Sequence, residues 1–145
     1  MSNLNIKCYH EIMPGDVLLE IEALAKTCGI NEEYDRACDL VYTWVIDEKI
    51  VAVIAFKKVL FTDGQTIPRL EHIFGLPEVQ KTRRGVIFLL SVEQQIMEYG
   101  FKQMWAFIDR TRGYMYDYAV KFGFKEYAAS KDGTYLIKNI TKRRF

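Results

Sequence analysis

The nine residues Pro77-Glu78-Val79-Gln80-Lys81-Thr82-Arg83-Arg84-Gly85 constrain this chain more than any other stretch, because they join a run with strand character to a run with helical character. A strand-to-helix turn leaves the first helical N–H groups without intrahelical partners and places the positive end of the peptide dipoles there. Anions bind at such ends. Gln80 can bond back to the chain, Lys81, Arg83 and Arg84 supply positive charge, and Gly85 lets backbone approach closely, so the window suits a diphosphate. The plain alternative is a basic connection before a helix.

A chain of 145 residues holds one hydrophobic core and is too short for two ordinary domains, so residues 1–145 read as one domain. Half of the residues are apolar and 14% are aromatic, which is the composition of a packed protein and not of a disordered one. A formal charge of +1 gives no field that would gather nucleic acid or an anionic membrane. Cys8, Cys28 and Cys38 are an odd, scattered set without metal-ligand spacing, and they read as reduced thiols. No signal peptide opens the chain and no apolar run is long enough for a membrane span, so a soluble, cytoplasmic protein without a bound metal is expected.

Loose alternation from Asn5 to Ile12 predicts a first strand. Asp16 is placed to cap a helix whose apolar residues run Val17, Leu18, Ile21, Leu24, Ala25 and Cys28, with Gly29 as its stop. The acidic segment Asn31–Asp39 reads as a loop with a short second helix. Leu40–Ile46 and Ile50–Phe61 are rich in β-branched and aromatic residues and predict a hairpin about Asp47-Glu48-Lys49. A further strand from Ile67 to Leu76 leads into the basic turn, with Gly75 marking a bulge or a splayed pairing. The following helix carries two apolar stripes and should be covered on both flanks up to Gly100. A buried strand Met104–Ile108, a helix Tyr114–Phe122 and a closing hairpin about Asp132-Gly133 complete the order.

The window Pro77–Gly85 resembles the signature of the GNAT family (GCN5-related N-acetyltransferases), P-E-x-(R/Q)-x-x-G-x-G. Pro77, Glu78, Gln80 and Gly85 match it, and Leu89, Leu90 and Glu93 follow near the family's offsets; Arg83 stands where the family has its first glycine. The family's last-helix pattern, N-x-x-A-x-x-L-Y-E-K-x-G-F, is met by Lys121, Gly123 and Phe124, while Arg112, Met115 and Ala119 replace its Asn, Ala and Tyr. The resemblance covers about 40–140. It implies an α/β GNAT (acyl-CoA N-acyltransferase) fold, with a mixed twisted sheet of six or seven strands flanked by about four helices.

What the resemblance implies chemically is direct transfer of an acetyl group from acetyl-CoA to an amine. Gln80, Lys81, Thr82, Arg83, Arg84 and Gly85 would then hold the coenzyme phosphates, backbone N–H groups near Phe74, Gly75 and Leu76 the pantetheine arm and thioester carbonyl, and Arg112 would reach the coenzyme as well. Glu71 is the candidate base, with His72 as its fallback. Tyr116, three residues before Ala119 on the same helical face, is the candidate acid, ahead of Tyr118, which is turned about 100° from Ala119. Strict alternation puts Arg69, Glu71, Ile73 and Gly75 on one face of their strand, and Leu70, His72, Phe74 and Leu76 on the other. Glu32, Glu33, Asp35 and Asp39 would attract a cationic amine, either a small molecule or a protein. A homodimer is compatible with the sequence, whereas a membrane is not expected as a partner and nucleic acid is disfavoured by the acidic segment. The competing reading is a catalytically degenerate protein of this fold that serves as a binding or interaction module, with or without bound CoA.

Overall fold

The computed structural model of the protein describes residues 4–140, apart from Asn31 and Lys81 and the side chain of Arg110. Among the described residues the order is β1 (Asn5–His10), α1 (Gly15–Thr27), β2 (Leu40–Ile46), β3 (Lys49–Leu60), β4 (Thr66–Gly75), α2 (Pro77–Gln80), α3 (Arg83–Glu98), β5 (Gln103–Asp109), α4 (Gly113–Phe122), β6 (Lys125–Ala129) and β7 (Gly133–Asn139). Seven strands form one sheet in the order β1-β2-β3-β4-β5-β7-β6, antiparallel throughout except between β4 and β5.

Alternation along β2 and β3 divides the core into two layers. Tyr42, Trp44, Ala52, Ile54 and Phe56 pack toward α3 and α4, where Phe88, Val92, Ile96, Met115, Ala119 and Phe122 meet them. Val41, Val45, Val53 and Ala55 pack with Ile21, Leu24 and Ala25 of α1. Each such fully buried large apolar side chain contributes roughly 1.5–3 kcal/mol. Glu93 is buried on α3 and is reached by the Lys138 Nζ at 2.6 Å from β7, so the helix is tied to the sheet by an ion pair inside the apolar layer.

Three expectations are corrected. α1 starts at Gly15 behind Pro14, without a side-chain cap, so Asp16 lies in its first turn. The described part of the acidic segment carries no helix, and the turn after β4 contains one of its own, α2, followed by α3 with Thr82 as its cap. Only one flank of α3 is fully covered, the one carrying Phe88, Val92 and Ile96, since Val86 on the other is about half exposed.

Simple alternation also fails in β4, at Glu71. His72 pairs with Ala55 and Leu70 with Phe56, so Glu71 is an extra residue in β4, a β-bulge. Leu70 and Ile73 consequently share the α3/α4 layer, three residues apart, whereas a regular strand would have separated them. The bulge thus lies at Glu71; Gly75 stays in register with Ala52, where an added Cβ would meet the Ala52 Cβ at 3.0 Å.

Candidate active site

Beyond the bulge the sheet splits. Among the described residues β4 and β5 are in register at one pair, Arg69 with Trp105, and no pair follows it toward the C-terminal end of β4. Splaying frees β4 backbone groups from the ladder, and these require other partners. The Glu71 carbonyl finds one in the Arg112 guanidinium, which reaches it from the single 3-10 turn before α4.

A narrow cleft, with a cavity volume of about 50 Å³, lies at this end of the sheet between α3 and α4. Trp44, Ile73, Phe74, Gly75, Val79, Gln80, Gly85, Phe88, Tyr118 and Lys121 line it, so its walls are apolar and its rim polar. A second opening, bordered by Cys28, Gly29 and Ile30 after α1 and by Tyr114 and Asp117, shares Phe74, Gln80, Tyr118 and Lys121 with the first. The two therefore adjoin across Phe74, Gln80, Tyr118 and Lys121. One mouth lies at the α2–α3 turn and the other beside the 28–30 segment.

The α2–α3 turn is built by its own side chains. Gln80 Nε2 donates to the Gly75 carbonyl at 2.6 Å, clamping α2 to the end of β4. Thr82 Oγ1 donates to the Val79 carbonyl at 2.9 Å and accepts from the Gly85 N–H at 3.1 Å. A Cβ at Gly85 would lie 2.5 Å from the Val79 oxygen, so this glycine is required for α3 to pass close to α2. Arg83 and Arg84 are exposed, and their backbone N–H groups have no hydrogen-bond partner among the described residues. Two open amides at a helix N-terminus, carried by two exposed arginines, thus stand between Gln80 and Gly85, which line the cleft. Lys81, expected to join them, lies outside the described residues.

Phe74 and Gly75 border the cleft. Leu76 directs its N–H to the Val51 carbonyl at 2.9 Å, so that amide is engaged in the sheet. Arg112 turns away from the expected coenzyme path and holds three groups: its Nε meets Glu32 Oε1 at 3.2 Å, and its Nη2 meets the Glu71 carbonyl and the Met115 sulfur. The Tyr114 hydroxyl donates to the same Glu32 oxygen.

Glu71 is largely buried and paired with Arg69 Nε, and the Arg69 guanidinium lies 5.5 Å over the Trp105 ring. His72, the fallback base, is committed elsewhere. Its Nε2 accepts the Asp35 N–H at 3.0 Å, its ring lies 4.7 Å from that of Tyr34, and burial, with Arg112 nearby, pushes its pKa down to about 4. It is neutral, with that lone pair already in use.

The two tyrosine candidates are separated clearly. Tyr116 donates its O–H to Glu126 Oε1 of β6 at 2.6 Å and lines neither opening, whereas Tyr118 lines both. Burial raises the Tyr118 phenol above its ordinary value, so it is protonated at neutral pH. The 100° rotation that made Tyr118 the second choice in the sequence is what aims it into the cleft. The bulge at Glu71, by contrast, left no signal beyond a polar residue inside a strand.

Three of the four carboxylates of the acidic segment, all but Glu33, have partners within the fold. Glu32 is paired with Arg112, Asp35 with Lys57 at 2.8 Å, and Asp39 accepts the Lys58 N–H at 2.7 Å. Among the described residues no group of His, Cys, Asp and Glu could hold a metal ion, and no helix is long and apolar enough to cross a membrane.

No protein-family model matches the sequence, and no curated protein is similar to it at a significant level. Solved structures do match the fold. An acetyltransferase of the GNAT family from Staphylococcus aureus superposes with a TM-score of 0.67 at 12% identity, covering 94% of this chain and 99% of its own. PaiA N-acetyltransferase from Thermoplasma acidophilum, in complex with coenzyme A, gives 0.66 at 14%, with 93% and 99% covered. Arabidopsis thaliana Naa50, in complex with the bisubstrate analogue CoA-Ac-MVNAL, gives 0.65 at 12%, with 92% and 98% covered. The chain has the GNAT fold.

Proposed function

We propose that the protein transfers an acetyl group from acetyl-CoA to an amine by direct attack. The observation that carries this reading is the meeting of a cleft bordered by Gln80 and Gly85, next in sequence to the open amides of Arg83 and Arg84, with a second opening beside the 28–30 segment, Tyr118 lining both. In this reading the first holds the coenzyme and the second leaves room for an acceptor. A structural split would need no polar turn at its mouth. The fold shared with a coenzyme A complex and a bisubstrate complex supports acyl-CoA as the ligand.

In this reading the α2–α3 turn, with Thr82 to Gly85, binds diphosphate, and the apolar walls at Ile73, Phe74, Val79 and Phe88 receive the pantetheine arm. The acceptor nitrogen forms a bond to the thioester carbon as the carbonyl π pair moves to oxygen. Collapse of that intermediate breaks the C–S bond, and the leaving thiolate takes a proton from Tyr118. Glu71, held by Arg69 at the bulge, receives the proton lost by the amine. Holding both substrates in adjoining openings supplies the orientation on which such a transfer depends.

Release of free thiol from acetyl-CoA, measured against a panel of primary amines, tests the proposal. Amine-dependent thiol release with an acetylated product identified by mass supports it. Binding of the coenzyme without release in the presence of any amine would favour the degenerate binding module instead.

A further inference from the structure

Two guanidinium groups converge on a single residue of the split, Glu71: Arg69 on its carboxylate and Arg112 on its carbonyl. Both are attached to rigid parts, one in β4 over the Trp105 ring and the other at the start of α4 with Met115 and Glu32 against it. Neither fork is filled. Arg69 donates a hydrogen bond through Nε alone, and Arg112 uses Nε and Nη2, so Nη1 and Nη2 of the first and Nη1 of the second have no hydrogen-bond partner among the described residues. An arginine that presents parallel N–H groups is matched by a planar, two-oxygen anion better than by water or a lone acceptor.

The charge count points the same way. Glu71 and Glu32 each face one guanidinium, so the inner end of the split is balanced and provides no net attraction for a polycation. An acceptor that brings a carboxylate beside its amine keeps that balance: its nitrogen lies toward Glu71 and its carboxylate toward the open forks. The same side of the sheet carries Trp105, Phe107 and Tyr135 in contact with one another, an apolar wall for a side chain.

We infer that Arg69 and Arg112 form a carboxylate subsite and that the acceptor is an amino acid, with its carboxylate adjacent to the reacting amine. This deepens the proposed transfer and rests on it. Binding of the acetylated product reads the subsite without turnover. N-acetyl-L-phenylalanine and N-acetylphenethylamine, which differ by the carboxylate alone, are titrated calorimetrically into the protein and into its Arg112→Gln and Arg69→Gln variants, with folding checked by circular dichroism. The carboxylated ligand should bind at least tenfold more tightly, and either substitution should remove most of that preference. Equal binding of the two, or no heat from either at millimolar concentration, overturns the subsite and leaves the arginines as internal struts. CoA titrated into the same preparation separates the two ideas. CoA binding without the preference keeps the transfer and removes the subsite; the preference without CoA binding does the reverse.

Discussion

The backbone N–H of Asp35 donates to His72 Nε2 at 3.0 Å, joining the acidic segment to the bulged strand through a neutral imidazole. The ring is buried, and its pKa is lowered from 6.5 to about 4, first by desolvation and then by Arg112. A base that is harder to protonate when folded contributes stability that is complete above its unfolded value and is lost as pH falls. The window is therefore pH 6.5 to 4, with a contribution on the order of 3 kcal/mol at neutral pH. Urea unfolding across this range should show falling stability in the protein and a flatter profile in His72→Gln. Parallel profiles would mean that other groups carry the pH dependence.

Gly85→Ala should disturb the α2–α3 turn and the fold together. Its Cβ would meet the Val79 carbonyl, which is backbone and cannot rotate away, so α2 or α3 must shift. We expect a loss of about 1–3 kcal/mol by urea unfolding, together with weaker CoA binding. An alanine variant as stable as the parent would show that the approach of the two helices is softer than this geometry requires.

The Glu93–Lys138 pair offers a test of the core independent of any activity. Both side chains are nearly buried, and the ammonium also bonds the Phe122 carbonyl. Lys138→Met removes the ammonium from beside a buried carboxylate and should cost about 3–5 kcal/mol, whereas Glu93→Met with Lys138→Met should recover much of that loss. A double variant no more stable than the single one would place the cost in packing and not in charge.

Glu71→Gln should lower kcat by about 10²–10⁴-fold with CoA affinity unchanged, since the residue lies at the bulge and outside the α2–α3 turn. Unaltered turnover would remove Glu71 from proton transfer. Tyr118→Phe should likewise slow transfer by roughly 10²-fold, while Tyr116→Phe, whose hydroxyl is bonded to Glu126, stays within about twofold. The opposite ranking would return the acid to Tyr116.

Periodicity and turn chemistry made much of this fold legible. The hairpin at Asp47-Glu48, the stop of α1 at Gly29 and the turn at Asp132-Gly133 follow from local residue preferences, and each appears close to its expected place. α2 escaped notice because a four-residue helix has no period to detect. The bulge escaped because alternation assigns faces by counting, and one extra residue at Glu71 reverses every assignment before it relative to those after it. The acidic segment misled for a different reason. Composition records Glu32 and Asp35, whereas their partners, Arg112 and Lys57, come from distant parts of the chain and are met only in the folded protein.

The most direct test of the proposed transfer is calorimetric titration of the protein with acetyl-CoA and, separately, with CoA. Micromolar binding of both, weakened by Gly85→Ala, is the result expected from the open amides and guanidinium groups at the α2–α3 turn. No heat and no thermal shift at millimolar coenzyme would contradict it, and would leave the cleft past Tyr118 without the ligand for which it has been assigned.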